Sequence, residues 1–329
     1  MAVHRFLYHS FPRRPGKNRF SRGLQVLAGI LDQGLLLTPE TIRFHRWRQW
    51  YKSGPLSSPQ LTDKVLDSCV LSQTRACFTE LAPHELPRHA KQFGPFALEW
   101  DARDLRQMGA MPVFYVPLDR PQDGMGRALL GTLFDISDIL DKISRLCELA
   151  DRPGPPTDGV YVLDQQGKAV ISGRGITAGG LKEVMQFIQF HTRPVAQLHC
   201  GLAALSAHFY PTENLKYTGD LAYYKQREWR IVGTVDVFHD GKAVLRPPTH
   251  PEVAALSMLD PGFFSKRIEF AGRTSSIAEE CRYFQPFGDM PIGSFVRRIV
   301  APMSSVPDVK RMLRARHQSI KVVALENLA

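Results

Sequence analysis

The apolar and polar positions change period several times along the chain, and each change marks an element. HRFLYHSF, residues 4–11, reads as a short first strand, and PRRPGKNRFS as a loop. In SRGLQVLAGILDQGLLL, Leu24, Leu27, Ile30 and Leu31 recur at helical spacing and Gly34 is placed to end the helix. TIRFHRWRQWYK places its aromatics and cations as an amphipathic helix would. SGPLSSPQLTD, residues 53–63, is turn-rich. A strand at ACFTE, a short helix around ELPRHAKQF, and strands at FALEW and MPVFYVPL are predicted next. Small strands divided by short helices predict a mixed α+β core, not a regular βαβ array.

From residue 121 the pattern differs. In ALLGTLFDISDILDKISRLCELA, Leu129, Leu133, Ile136, Leu140, Ile143 and Leu146 form one apolar stripe, which predicts a strong helix. The linker DRPGPPTDG precedes a hairpin at GVYVLDQQGKAVISG, and a further helix spans about Leu181 to His191. The expected organisation is a core domain in two halves, 1–120 and 214–329, interrupted by a largely helical insertion or lid at 121–213. The core ends in a strand–helix–strand pattern at VRRIVAP, VPDVKRMLRARH and IKVVALENL.

Composition narrows the function classes. Hydrophobic content of 43% supports a real core, and no apolar run approaches the length of a transmembrane helix. The charged N-terminus lacks the apolar core of a secretory signal, so a cytoplasmic protein without a membrane anchor is expected. Five scattered cysteines without a CxxC pair argue against a zinc ribbon or a disulfide framework. His199 and Cys200 could form half of a metal site, but packing explains them as well, and no metal is expected. SGRGITAGGLKEV reads as a turn and helix entry, since it matches neither a P-loop nor a GxGxxG fingerprint.

The net charge of +10 is uneven: residues 1–52 carry +8, residues 290–329 carry +5, and the rest −3. Clustered basic charge attracts polyanions. Arg43, Arg46 and Arg48 interleave with Trp47 and Trp50, which is the composition of a single-strand nucleic-acid surface; on the helical reading the aromatics face the core instead.

YYKQREWRIVG, Tyr223 to Gly233, reads as a strand with Arg227, Trp229 and Ile231 on one face and Gln226, Glu228 and Arg230 on the other. Glu228 is then either a surface partner of Arg230 or the acidic group of a site. The order of LYHSF, LAGILDQGL, CFTE, QFGPFALEWD, GAMPVFYV and YYKQREWRI resembles that of ADP-ribosyltransferase-like domains, and in detail the AbiGi-type abortive-infection family. That resemblance implies a mixed, twisted central sheet of the ADP-ribosyltransferase kind. It also implies NAD as a substrate, cleaved through an oxocarbenium-like transition state that a carboxylate stabilises.

By position Glu228 would be that carboxylate and His9 the ribose contact. Tyr8 and Thr79 would line the cleft, and Tyr223 or Tyr224 would wall the nicotinamide. Gln226 stands where protein-arginine transferases carry an acid, so the implied acceptor is another protein group or a nucleic acid. Two alternatives stay open. One is a non-catalytic, antitoxin-like component with a toxin or antitoxin partner, and the other is a nucleic-acid-binding protein without catalysis.

Overall fold

The computed structural model describes residues 6–12, 18–52, 60–116, 126, 129–137, 139–140, 159–163, 169–174, 183, 186, 198, 201–202, 205–211, 227–233, 238–239, 242–270, 273–285 and 290–328. Contacts divide the chain into two units, one comprising residues 1–45, 68–116 and 207–329, the other residues 46–67 and 117–206.

The first unit is built on a large mixed sheet. In chain order its strands are β1 (Phe6–Phe11), β2 (Leu35–Lys52), β3 (Gln60–Glu80), β4 (Phe96–Asp101) and β5 (Met111–Pro112). A separate short strand, β6 (Phe114–Val116), follows at once. β2 and β3 run on into residues of the second unit. The second unit has a hairpin of β7 (Gly159–Leu163) and β8 (Ala169–Arg174), and residues 129–137 and 139–140 are helical. Back in the first unit come β9 (Phe209–Pro211) and β10 (Glu228–Val232). A short hairpin joins β11 (Phe238–His239) to β12 (Lys242–Ala243), and β13 (Leu245–Arg246) follows. The C-terminal part supplies the hairpin β14 (Arg267–Phe270) and β15 (Arg273–Ser276), then β16 (Arg282–Phe284), β17 (Val296–Ala301) and β18 (Lys321–Ala324). Strand order in the large sheet is β13-β16-β2-β3-β1-β4-β17-β18, with β10 pairing both β3 and β5. β17 and β18 are parallel, joined through the helix Val306–Ala315, while β1, β4 and β10 sit in antiparallel ladders. The fold class is thus α+β with a mixed sheet.

Helix α1 (Arg19–Gln33) follows its predicted stripe: Leu27, Ile30 and Leu31 are buried against Leu7, Phe96, Leu98 and Trp100 of the sheet. Gly34 ends it with φ +98° and donates its N–H to the Ile30 carbonyl at 3.0 Å. Only glycine meets both demands there, because a Cβ would stand 2.2 Å from the Phe284 carbonyl oxygen. On the opposite face, α2 (Leu86–Phe93) and the short helix Leu325–Leu328 pack over Tyr8, Ala97 and Val300. Both faces of the central strands are therefore covered.

The helical reading of TIRFHRWRQWYK is corrected: Leu35–Lys52 forms one strand. Its first residues pair with β16, Leu35 opposite Phe284 and Leu37 opposite Arg282. Such pairing overrides a three-residue aromatic spacing, and the Thr, Ile, Phe, Trp and Tyr content suits a strand in any case. The predicted strand at ACFTE is likewise the end of a much longer one, Gln60–Glu80.

Candidate functional site

The register of the sheet lines up an unusual row. Glu228 of β10 lies opposite Thr79 of β3, Thr79 opposite Tyr8 of β1, Tyr8 opposite Glu99 of β4, and Glu99 opposite Arg298 of β17. Residues paired across a ladder share a face, so five polar side chains run side by side across five strands. The row has a polar cluster at each end. At one end the Tyr8 hydroxyl donates to Glu99 Oε2 at 2.5 Å, and Arg298 donates to both Glu99 and the Tyr8 hydroxyl. Burial, and then the hydrogen bond to Glu99, push the Tyr8 hydroxyl above its ordinary pKa, so it stays a donor. This end is a closed structural network.

The other end is centred on Glu228. Its Oε1 accepts from Arg230 Nε at 2.8 Å and its Oε2 from the Tyr115 hydroxyl at 2.8 Å. The Arg230 side chain is 1% exposed and that of Glu228 13%, so this is a buried ion pair. Burial alone would raise the Glu228 pKa. The charges of Arg230 and Arg75 and the hydrogen bonds from Arg230 and Cys77 outweigh it and hold the carboxyl at about 2. Tyr115 is pushed up by burial and then by the Glu228 charge, so its hydroxyl keeps its proton and donates it.

The remaining walls follow from two short pieces of chain. β3 alternates, so Gln73, Arg75, Cys77 and Thr79 share the face of Glu228 while Ala76 and Phe78 enter the apolar core. Parallel pairing of β6 with β9 sets Tyr115 beside Tyr210, with their rings perpendicular at 6.2 Å. The Tyr210 ring then lies 4.7 Å from the guanidinium carbon of Arg230 and 5.3 Å from that of Arg75. Arg75 also forms an ion pair with Glu40. His208, just before β9, is buried, and desolvation followed by the charge of Arg230 lowers its pKa to about 4. Ionised Glu228, two arginines and a neutral imidazole thus occupy one desolvated compartment.

His9 is not part of it. It sits in β1 between Tyr8 and Ser10 and faces the other side of the sheet, where its ring is 5.5 Å from that of Phe78 and its Nδ1 is 2.8 Å from the Cys77 carbonyl oxygen. The register brings Tyr8 and Thr79 into the row with Glu228 and leaves His9 behind it. Tyr223 and Tyr224 lie outside the described residues. Arg43, Arg46, Arg48, Trp47 and Trp50 fall on the backbone of β2, whose side chains are not described there. Arg227 does not share the face of Trp229: at φ +44° it precedes the strand, and it is exposed beside Glu85 at 2.9 Å.

Sequence reasoning missed Arg75, Tyr115, His208 and Tyr210. For Arg75 a signal existed, since polar residues recur at every second position through Gln73, Arg75, Cys77 and Thr79. For the others none did, because β6 and β9 are three residues each and meet only through the fold.

A family model matches residues 57–245, more than half of the chain, under the description "Putative abortive phage resistance protein AbiGi, antitoxin". The matched span contains every residue of the Glu228 compartment except Glu40. The chain belongs to the AbiGi family. The span also takes in the long strand β3 and the β7–β8 hairpin, so AbiGi membership rests on pieces of both units. Neither the curated proteins nor the solved structures contain a match. Among the described residues no helix is long and apolar enough to cross a membrane, and no group of three His, Cys, Asp or Glu side chains could hold a metal ion.

Proposed function

We propose that this AbiGi protein is the non-catalytic, antitoxin side of an abortive-infection pair and acts by binding a toxin protein. The observation that carries the reading is the state of Glu228. Both of its oxygens are engaged, by Tyr115 and by Arg230, in a buried ion pair. A carboxylate that must meet a developing cation on a substrate needs a free lobe facing a cleft. Here the group is spent on joining β10 to β6. The family's description as an antitoxin supports the same role.

The ordered motifs that resemble ADP-ribosyltransferases support a second reading, with NAD as substrate and a nucleic-acid or protein acceptor. On that reading Glu228 would have to release Tyr115 or Arg230 to reach the ribose, and His9 would act from the far side of the sheet. Two measurements on the purified chain separate the readings. Incubation with NAD, with and without nucleic acid, is expected to release no nicotinamide above a protein-free blank. Co-expression with a cognate toxin is expected to restore growth in a dose-dependent way, with both chains recovered in one complex. NAD turnover that disappears in Glu228→Gln while the fold survives would establish the transferase instead.

A further inference from the structure

Beside the Glu228 ion pair, the same compartment holds charged donors that nothing among the described residues accepts from. Arg230 Nη1 and Arg75 Nη1 are both buried and have no hydrogen-bond partner. The Nδ1 of His208 is buried and unpartnered too. Both guanidinium carbons lie within 5.3 Å of the centre of the Tyr210 ring, and His208 stands two residues before Tyr210, where it feels the charge of Arg230. Buried polar groups in folded proteins are otherwise almost always paired, and those that are not point to a missing water or ion.

The nearby carboxylates are already committed, and the neutral Gln73 amide, buried on the same face of β3 with its own oxygen unpaired, offers no counter-charge. Glu228 takes the Nε of Arg230 and the hydroxyl of Tyr115, and Glu40 takes Nη2 of Arg75. Guanidinium groups offer donors only, so what fits between them must be an acceptor, and their forked geometry matches an oxyanion. A water can accept from both N–H groups but brings no charge and no forked match to a guanidinium. We propose that Arg75 and Arg230 bind a small oxyanion, the phosphate or carboxylate group of a small molecule, against the Tyr210 ring with His208 as a further contact. This goes beyond the toxin-binding reading and stands whether or not that reading holds. A site of this kind would let a metabolite set the stability of the β3–β10–β9 region.

The test uses the full chain at constant ionic strength in chloride, titrated calorimetrically with inorganic phosphate in one arm and acetate in the other. One saturable site is expected in at least one arm, and the arm that responds names the group. Arg75→Lys and Arg230→Lys keep a charge but remove the fork, so each should weaken binding by roughly tenfold or more. No saturable binding in either arm overturns the proposal, as does binding left unweakened in both folded variants. Should the lysine variants not fold, the wild-type imidazole resonances carry the test: His208 is expected to shift during the titration, and a static His208 resonance overturns the site.

Discussion

Glu228 and Arg230 are two residues apart on one strand, a spacing that puts their side chains on one face, and this much is legible in YYKQREWRIVG. What the spacing does not disclose is that this face is buried. An exposed pair of this kind contributes about 1 kcal/mol or less, whereas removing one partner of a buried pair costs about 3–5 kcal/mol because the other charge is left without compensation. Glu228→Gln should therefore lower stability by about 3 kcal/mol in urea unfolding, and Glu228→Gln with Arg230→Met should recover much of the loss. The pH dependence follows from the same pair. The folded pKa of Glu228 is about 2 against an ordinary 4.5, so its contribution is full above about pH 4.5 and fades as pH falls toward 2. The stability gap between wild type and Glu228→Gln should accordingly be constant from pH 5 to 7 and shrink below about pH 4.5. A gap that is small at neutral pH and does not change on acidification would mean that the carboxylate is not held as described. His9 teaches the complementary lesson: its place in the chain order suggested a site residue, while its parity within β1 set it against Phe78.

At the scale of elements, legibility tracked how local the determinants were. Helix α1 carries its own stripe and its own stop, and both are visible in the sequence because a helix closes its hydrogen bonds within itself. β2 carries no such internal signature. Its aromatics at Phe44, Trp47 and Trp50 are three apart, as on a helix, and only pairing with β16 and β3 makes the segment a strand. The two-residue strand β5 and the three-residue strands β6 and β9 are beyond any sequence period, although they supply two of the tyrosines around Glu228 and their neighbour. The junction between α1 and β2 gives the sharpest element-level prediction. Gly34→Ala forces a side chain into a φ of +98° and into the Phe284 carbonyl, so it should displace β16 from Leu35 and cost about 2 kcal/mol or more. Equilibrium unfolding of the variant checks this, and Gly29→Ala, on the same helix with open space at its Cβ, is the control expected to be neutral or slightly stabilising.

For the whole molecule, the distribution of charge in the sequence and its distribution in the fold are different things. The last forty residues carry +5, yet four of their five arginines are engaged with acids, three of those acids far away in the chain. Arg316 binds Asp32 through two bonds at 2.6 and 2.7 Å, Arg297 reaches Asp101, Arg298 is paired with Glu99, and Arg311 bridges Asp308. Charge that is neutralised in place contributes little to a long-range field, and surface charges farther apart than a Debye length of about 10 Å barely add at ordinary salt. The N-terminal block differs in composition, since residues 1–52 hold ten Lys or Arg against only Asp32 and Glu40, which are themselves paired with Arg316 and Arg75. Any attraction to polyanions should thus come mainly from the N-terminal block, although its Arg22 is paired with Asp260. Replacing Arg43, Arg46 and Arg48 together by Ala should bring the protein off a heparin column at lower salt, because each lost phosphate-like contact removes about one released counterion from the salt dependence. Replacing Arg297, Arg311 and Arg316 together should move elution much less while lowering thermal stability, since those side chains are occupied in holding Asp101, Asp308 and Asp32. The reverse order of the two variants on the column would show that the C-terminal arginines leave their internal partners when a polyanion is offered.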